Sequence, residues 1–148
     1  MPRRNGSLAA RSLWVLGTGV ALVAGIVTLA VWIAFDVWQG VPTSTMPAAL
    51  TGAAPAQRAL WIAFRGIAAC TTVPIAEELA FRGFLMRRFC SVDFESVVWD
   101  RISWVPVLLS SVAFGLLHGD RWMAGVLAGL IFAWTVRRTG RIGDAVVA

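Results

Sequence analysis

Residues 13–35 contain no charged side chain. A helix needs about 20 predominantly apolar residues to cross a bilayer, whereas the apolar part of a secretory signal is about 7–15. The run therefore reads as a retained transmembrane helix. It follows a polar, basic start with Arg3, Arg4 and Arg11. The Arg3-Arg4 pair has a twin-arginine look, but without the length that should follow. Gly17, Ala21 and Gly25 recur every fourth residue and predict a face suited to close helix packing.

Composition agrees. Of the 148 residues, 58% are hydrophobic and 14% charged, with mean hydropathy +0.74. Soluble domains carry about 25% charged residues, so this is a membrane protein. The length suits a single membrane domain over residues 1–148, with a first span and loop in 1–58 and a motif-bearing core in 59–148. Net charge is +5 and all 13 basic residues are arginine. They sit at the ends of apolar runs and not along one polar face. This points to membrane topology, and no nucleic-acid partner is expected. Cys70 and Cys90 lack metal-like spacing and are not expected to form a disulfide. Cys70 lies in an apolar run and reads as a small core residue.

Residues 36–58 hold Pro42, Pro47, Pro55, Gly40 and Gly52 and read as an exterior loop with a short interfacial piece near Trp38. A second apolar run starts near Ala59, is interrupted by Arg65 and ends at Arg87-Arg88. Residues 91–101 form a polar connection. A third run covers residues 102–118, Gly119-Asp120-Arg121 makes a tight break, and a fourth covers residues 122–136. Gly125 and Gly129 give that run a second close-packing face. The expected fold is an all-α polytopic transmembrane bundle of about four spans. Arginines near residues 3–11, 87–101 and 137–141 then share one side. The positive-inside rule makes that side cytoplasmic, with both termini there, in a multi-pass protein of the cell membrane.

The second run carries Glu77-Glu78-Leu79-Ala80-Phe81-Arg82. Ionised groups at bilayer depth cost several kcal/mol and usually mark a functional site. On a helix Glu78 and Arg82 are i and i+4, in the favourable order for an ion pair. Glu77 points about 100° away and can face another neighbour. The simplest division makes Glu78–Arg82 structural and leaves Glu77 for chemistry. All three acting only as glue between helices is the competing reading. Pro74 predicts a kink just before the carboxylates. His118, the one histidine, shares a helix face with Ser111 and Phe114. Alone, a histidine at a span end is more often interfacial than catalytic. Beside buried glutamates, it completes what is needed to activate a water in a dry site. There is no His-Glu-x-x-His, no Gly-x-Ser-x-Gly and no glycine-rich phosphate loop.

Glu77-Glu78-x-x-x-Arg82 followed by Phe114-x-x-x-His118 resembles the CPBP family of intramembrane proteases, which includes the CAAX prenyl endopeptidases and bacteriocin-processing and immunity relatives. The resemblance covers about residues 59–148. Asp93-Phe94-Glu95 and the run Ser110 to Gly119 are also similar to the CAAX-protease-related subgroup associated with exosortase and PEP-CTERM sorting. The resemblance implies that Glu77 is the general base, His118 its partner on the catalytic water, Glu78 and Arg82 the supports and Phe114 a packing residue. It implies no cofactor. If the reaction were metal-dependent, Glu77, Glu78 and His118 would be the ligands, a poor zinc set. The partners it implies are the bilayer and a membrane-associated protein or peptide substrate.

The family's third motif, a histidine followed four residues later by asparagine or aspartate, supplies oxyanion stabilisation. No residue of this chain corresponds to it, and the chain is expected to continue past Ala148 into that helix. Each lost oxyanion donor costs a factor of about 10²–10³ in rate, which would leave the chain as written inactive. The leading expectation is an intramembrane endopeptidase that uses glutamate-activated water. The alternative is a non-catalytic membrane protein of the same fold acting as an interaction or immunity partner. An ion or proton pathway through Glu77, Glu78 and Arg65 is a third reading, opposed by the lack of internal symmetry.

Overall fold

A computed structural model describes the backbone of residues 5–40 and 47–148, and side chains from Gly17 onward within these. Arg3, Arg4, Pro42 and the side chain of Arg11, which entered the sequence reading, lie outside the described residues. Among the described residues every regular element is helical and there is no strand.

Helix α1 (Asn5–Gln39) is a single rod of 35 residues. It runs past Asp36, where the sequence reading placed a loop. The reason is that Asp36 is neutralised by Arg121 from another element and need not leave the helix. A one-turn helix α2 (Ala48–Thr51) follows. Helix α3 (Pro55–Cys70) starts earlier than the apolar run because Pro55 suits a first helical position and the Gln57 side chain accepts the Ala54 N–H at 3.1 Å. Beyond α3 come α4 (Thr72–Glu78), a π-helical segment (Leu79–Leu85) and α5 (Met86–Arg88). The break between α3 and α4 sits at Thr71, with φ −127° and ψ −69°. Pro74 explains it: its nitrogen cannot donate to the Cys70 carbonyl and its ring crowds that oxygen. Thr71 turns its hydroxyl back onto the Ile67 carbonyl at 2.7 Å. In the π-helical segment the Met86 N–H reaches the Phe81 carbonyl, five residues back.

Helices α6 (Trp104–Leu116) and α7 (Trp122–Thr139) form an antiparallel pair. Gly119, with φ 58°, permits the sharp turn between them. Their seam is built from small residues. A Cβ on Gly115 would lie 2.6 Å from the Trp122 carbonyl oxygen, one on Gly125 would lie 2.9 Å from the Gly115 Cα, and one on Gly129 would lie 3.0 Å from the Ser111 Cα. The four-residue glycine spacing in α7 thus marks a close helix crossing, as expected. Helix α1 lies against α7, and the final helix α8 (Ile142–Val147) wedges between α1, α7 and α4. Gly17 and Ala21 of the expected α1 face are buried there.

Among the described residues two apolar clusters form the interior. One gathers Met86, Ile102, Val107 and Ala133; the other gathers Phe81, Phe114 and Ala128. Arg87 secures the polar connection beneath the first. Its guanidinium donates to the Val97 carbonyl at 2.9 Å and to the Glu95 carbonyl, and lies 5.1 Å from the centre of the Trp99 ring.

Much of the apolar surface faces outward. Leu22, Val23, Ile26 and Leu29 of α1 are exposed, as are Leu60, Ile62, Phe64 and Ile67 of α3, which has no buried residue. Such faces are costly in water and matched by lipid tails. Among the described residues two helical stretches are long and apolar enough to cross a membrane, Gly17–Gln39 with mean hydropathy 2.3 and Pro55–Arg88 with 1.5. Helix α6, at 13 residues, is shorter and rises only about 20 Å against a hydrocarbon core of about 30 Å. Cys70 is exposed and not in the core. An apolar run in a membrane protein does not distinguish a lipid-facing position from an interior one.

Candidate functional site

The site grows from the rod that carries the two carboxylates. Glu78 ends α4 and is buried, and Arg82 sits in the π-helical segment and is 1% exposed. Arg82 Nη1 donates to Glu78 Oε1 at 2.8 Å, so the i, i+4 pair expected from the sequence forms. Arg82 Nη2 donates to the Gly129 carbonyl of α7 at 2.9 Å. The guanidinium also lies over three aromatic rings, 4.6 Å from the centre of Phe114, 5.2 Å from Phe132 and 5.9 Å from Phe81. Desolvated cation–π contacts of this kind contribute about 2 kcal/mol or more. Arg82 therefore joins the carboxylate rod to α6 and α7. Glu78 Oε2 and Ser111 Oγ are buried without a hydrogen-bond partner among the described residues.

Glu77 is set apart from this assembly. It is half-buried, and no hydrogen bond or ion pair engages it among the described residues. Of the two adjacent carboxylates, one is committed to an arginine and one is not.

His118 lies just past the end of α6, with φ −90° and ψ 7°, and not within the helix as the spacing had implied. The i−4 relation to Phe114 survives through a different contact, a 2.8 Å hydrogen bond between His118 Nδ1 and the Phe114 carbonyl. A carbonyl only accepts, so Nδ1 carries the proton and Nε2 of the neutral ring holds the free lone pair. The imidazole packs 4.6 Å from the centre of Phe114, which itself meets Phe81 edge-on at 5.1 Å. Phe114 lies against both the Arg82 guanidinium and the His118 ring. Glu78, Arg82, Phe114 and His118 thus form one contiguous set. Glu77 adjoins it through the chain, and no hydrogen bond joins Glu77 to His118.

The metal alternative does not fit this arrangement. Among the described residues no group of three or more histidine, cysteine or acidic side chains gathers as a metal site. Glu78, one of its three ligands, is already bound to a buried cation, Arg82. Arg65 is exposed and lies over the Trp61 ring at 5.4 Å, with no ion pair to either glutamate.

Four contributors were not anticipated. Gly129 acts through its carbonyl, where the sequence showed only a small residue. Trp32 meets His118 edge-on at 5.2 Å. Asp36 accepts Arg121 Nε at 2.6 Å and Nη2 at 3.3 Å. These hydrogen bonds hold the Arg121 guanidinium above its ordinary pKa. One signal was available: Asp36 is the sole acidic residue before Glu77 and closes an otherwise uncharged run.

Residues 59–148 match the family model described as type II CAAX prenyl endopeptidase Rce1-like. No curated protein and no solved structure matches the chain. The matched segment includes both glutamates, Arg82, Phe114 and His118. Most of the chain is thus covered, and it belongs to the Rce1-like family of CAAX prenyl endopeptidases, a family of intramembrane endopeptidases.

Proposed function

We propose that this protein is a multi-pass intramembrane endopeptidase in which Glu77 activates water and His118 assists. The observation that carries the reading is the division between the two carboxylates. Glu78 is bound to Arg82, while Glu77 beside it is half-buried and unengaged. Glu77 takes a proton from water, the oxygen attacks the peptide carbonyl, and the proton passes to the leaving nitrogen as the C–N bond breaks. His118 holds Nδ1–H on the Phe114 carbonyl and presents Nε2 as an acceptor for a water or substrate proton. Glu78, Arg82 and Phe114 hold the frame.

The substrate class is a membrane-associated protein or peptide. Asp93-Phe94-Glu95 and the run from Ser110 to Gly119 support placement in the exosortase-associated subgroup. The fold is a single membrane domain of about four spans, with α6 and α7 as the shorter pair and both termini on the cytoplasmic side. The mechanism uses no metal.

The non-catalytic alternative draws on one observation, the lack of a hydrogen bond between Glu77 and His118. Catalytic hydrogen bonds are often long before substrate binds, so this does not decide against chemistry. The test is cleavage by the purified protein in proteoliposomes containing a lipidated peptide, run in ¹⁸O-water with excess chelator. The proposal expects chelator-resistant cleavage with the label in the new carboxylate. Intact peptide would leave the non-catalytic reading, and cleavage abolished by chelator would remove the metal-free mechanism.

A further inference from the structure

Helix α1 lies outside the segment that matches the family, yet Trp32 meets the histidine ring and Asp36 holds Arg121 in the turn that begins at it. We infer that Trp32 and Asp36 are positioning residues that lock the His118 ring with Nδ1–H on the Phe114 carbonyl and Nε2 free, so that α1 completes the site.

Among the described residues three neighbours flank the part-buried imidazole. Phe114 lies on one side at 4.6 Å, with the rings inclined by 50°. Trp32 meets the ring edge-on at 5.2 Å and 74°. Gly125 of α7 is the third: a Cβ there would stand 3.2 Å from His118 Nδ1 and 3.3 Å from Cγ. The Phe114 carbonyl supplies the acceptor, but a single hydrogen bond does not prevent the ring from turning over. Trp32 closes the space in which it would turn.

Asp36 acts on the backbone of the same residue. Its carboxylate takes Arg121 through two nitrogens, at 2.6 and 3.3 Å. The Arg121 N–H in turn donates to the His118 carbonyl at 3.1 Å. The pair therefore ties the turn that begins at His118 to α1. Trp32 and Asp36 are i and i+4 on one helix, so a single seating of α1 sets both. Trp32 also packs on the cluster of Phe81, Phe114 and Ala128. The link to catalysis rests on the endopeptidase reading; the geometry does not.

His118 is the one histidine, so ¹⁵N-histidine labelling gives a single pair of ring-nitrogen signals. The full chain in lipid nanodiscs is examined at alkaline pH, and the signals of the neutral ring are read. The wild type is expected to show the Nδ1–H tautomer. Trp32→Leu keeps apolar volume against the cluster but removes the ring edge, and is expected to give a mixture of tautomers. Trp32→Phe should restore the Nδ1–H form. Asp36→Ala should also yield the mixture, and Asp36→Arg combined with Arg121→Asp should reverse it. For a cleaving enzyme, Trp32→Leu should lower kcat by about 10–100-fold with KM little changed.

The two readings fail separately. Expected tautomers in a protein that never cleaves would support the positioning role and end the endopeptidase reading. An unchanged Nδ1–H tautomer and unchanged kcat in both Trp32→Leu and Asp36→Ala, in a protein that does cleave, would overturn the positioning role alone.

Discussion

Arg82 and Gly129 stand 47 positions apart in sequence and are joined by a 2.9 Å hydrogen bond from guanidinium to carbonyl. Through this bond, the Glu78 ion pair and three aromatic rings, one arginine couples the carboxylate rod to the α6–α7 pair. The sequence motif is thus both the candidate site and the centre of the tertiary structure, and the two proposed roles separate by residue.

Loss of Arg82 should be felt as loss of fold. Arg82→Ala leaves Glu78 as an unpaired buried carboxylate, a cost of about 3–5 kcal/mol. Replacing both partners, with Glu78→Leu and Arg82→Met, removes the stranded charge and should recover most of that loss. Thermal unfolding in detergent micelles measures both. A double variant as unstable as Arg82→Ala would contradict the account.

The glycine seam sets an order of sensitivities. Gly115→Ala drives a methyl toward the Trp122 carbonyl and the Val126 side chain, and Gly129→Ala toward the Ser111 backbone. Overpacking of this kind costs about 1–3 kcal/mol, and more where backbone must move. Gly66→Ala meets nothing within 4 Å and should be neutral or slightly stabilising, by at most about 1 kcal/mol. The melting order should be Gly66→Ala highest, then Gly129→Ala, then Gly115→Ala. Equal melting of all three would show that the seam is not a close contact.

Arg87 makes a local prediction. Its donations to the Val97 and Glu95 carbonyls hold residues 91–101 in two short turns. Arg87→Ala should speed amide exchange across this connection by about tenfold or more while leaving α7 unchanged, since local opening can be uncoupled from global unfolding. Unchanged exchange at residues 94–101 would mean that the turns hold themselves.

Topology is tested by reporter fusions. Fusions after Arg88 and Arg141 should report the cytoplasm, and one after Ala49 the exterior, because arginines cluster on one side. A cytoplasmic signal after Ala49 would require a different number of spans.

What the residues revealed in advance was local. The Glu78–Arg82 pair follows from helical periodicity, and the Gly125/Gly129 face from small-residue spacing. The contacts around His118 were not readable, because Trp32 approaches from 86 positions away and periodicity says nothing about which distant helix packs where. Asp36 was read as the start of a loop because a lone charge ends an apolar run unless its partner is known. The π-helical segment arises from a one-residue register change that no side-chain pattern marks. Cys70 was misplaced because lipid and protein interior select the same side chains.

The central claim is that the two adjacent glutamates do different work, and paired substitutions test it most directly. Glu77→Gln and Glu78→Gln are purified in the same lipid, and both cleavage rate and unfolding temperature are measured. The account predicts that Glu77→Gln melts as the wild type does and loses cleavage by at least about 10²-fold, the scale of a general base. It predicts that Glu78→Gln, with its ion pair to Arg82 broken, melts at a lower temperature. Wild-type cleavage by Glu77→Gln, or a fall in its melting temperature equal to that of Glu78→Gln, would contradict it.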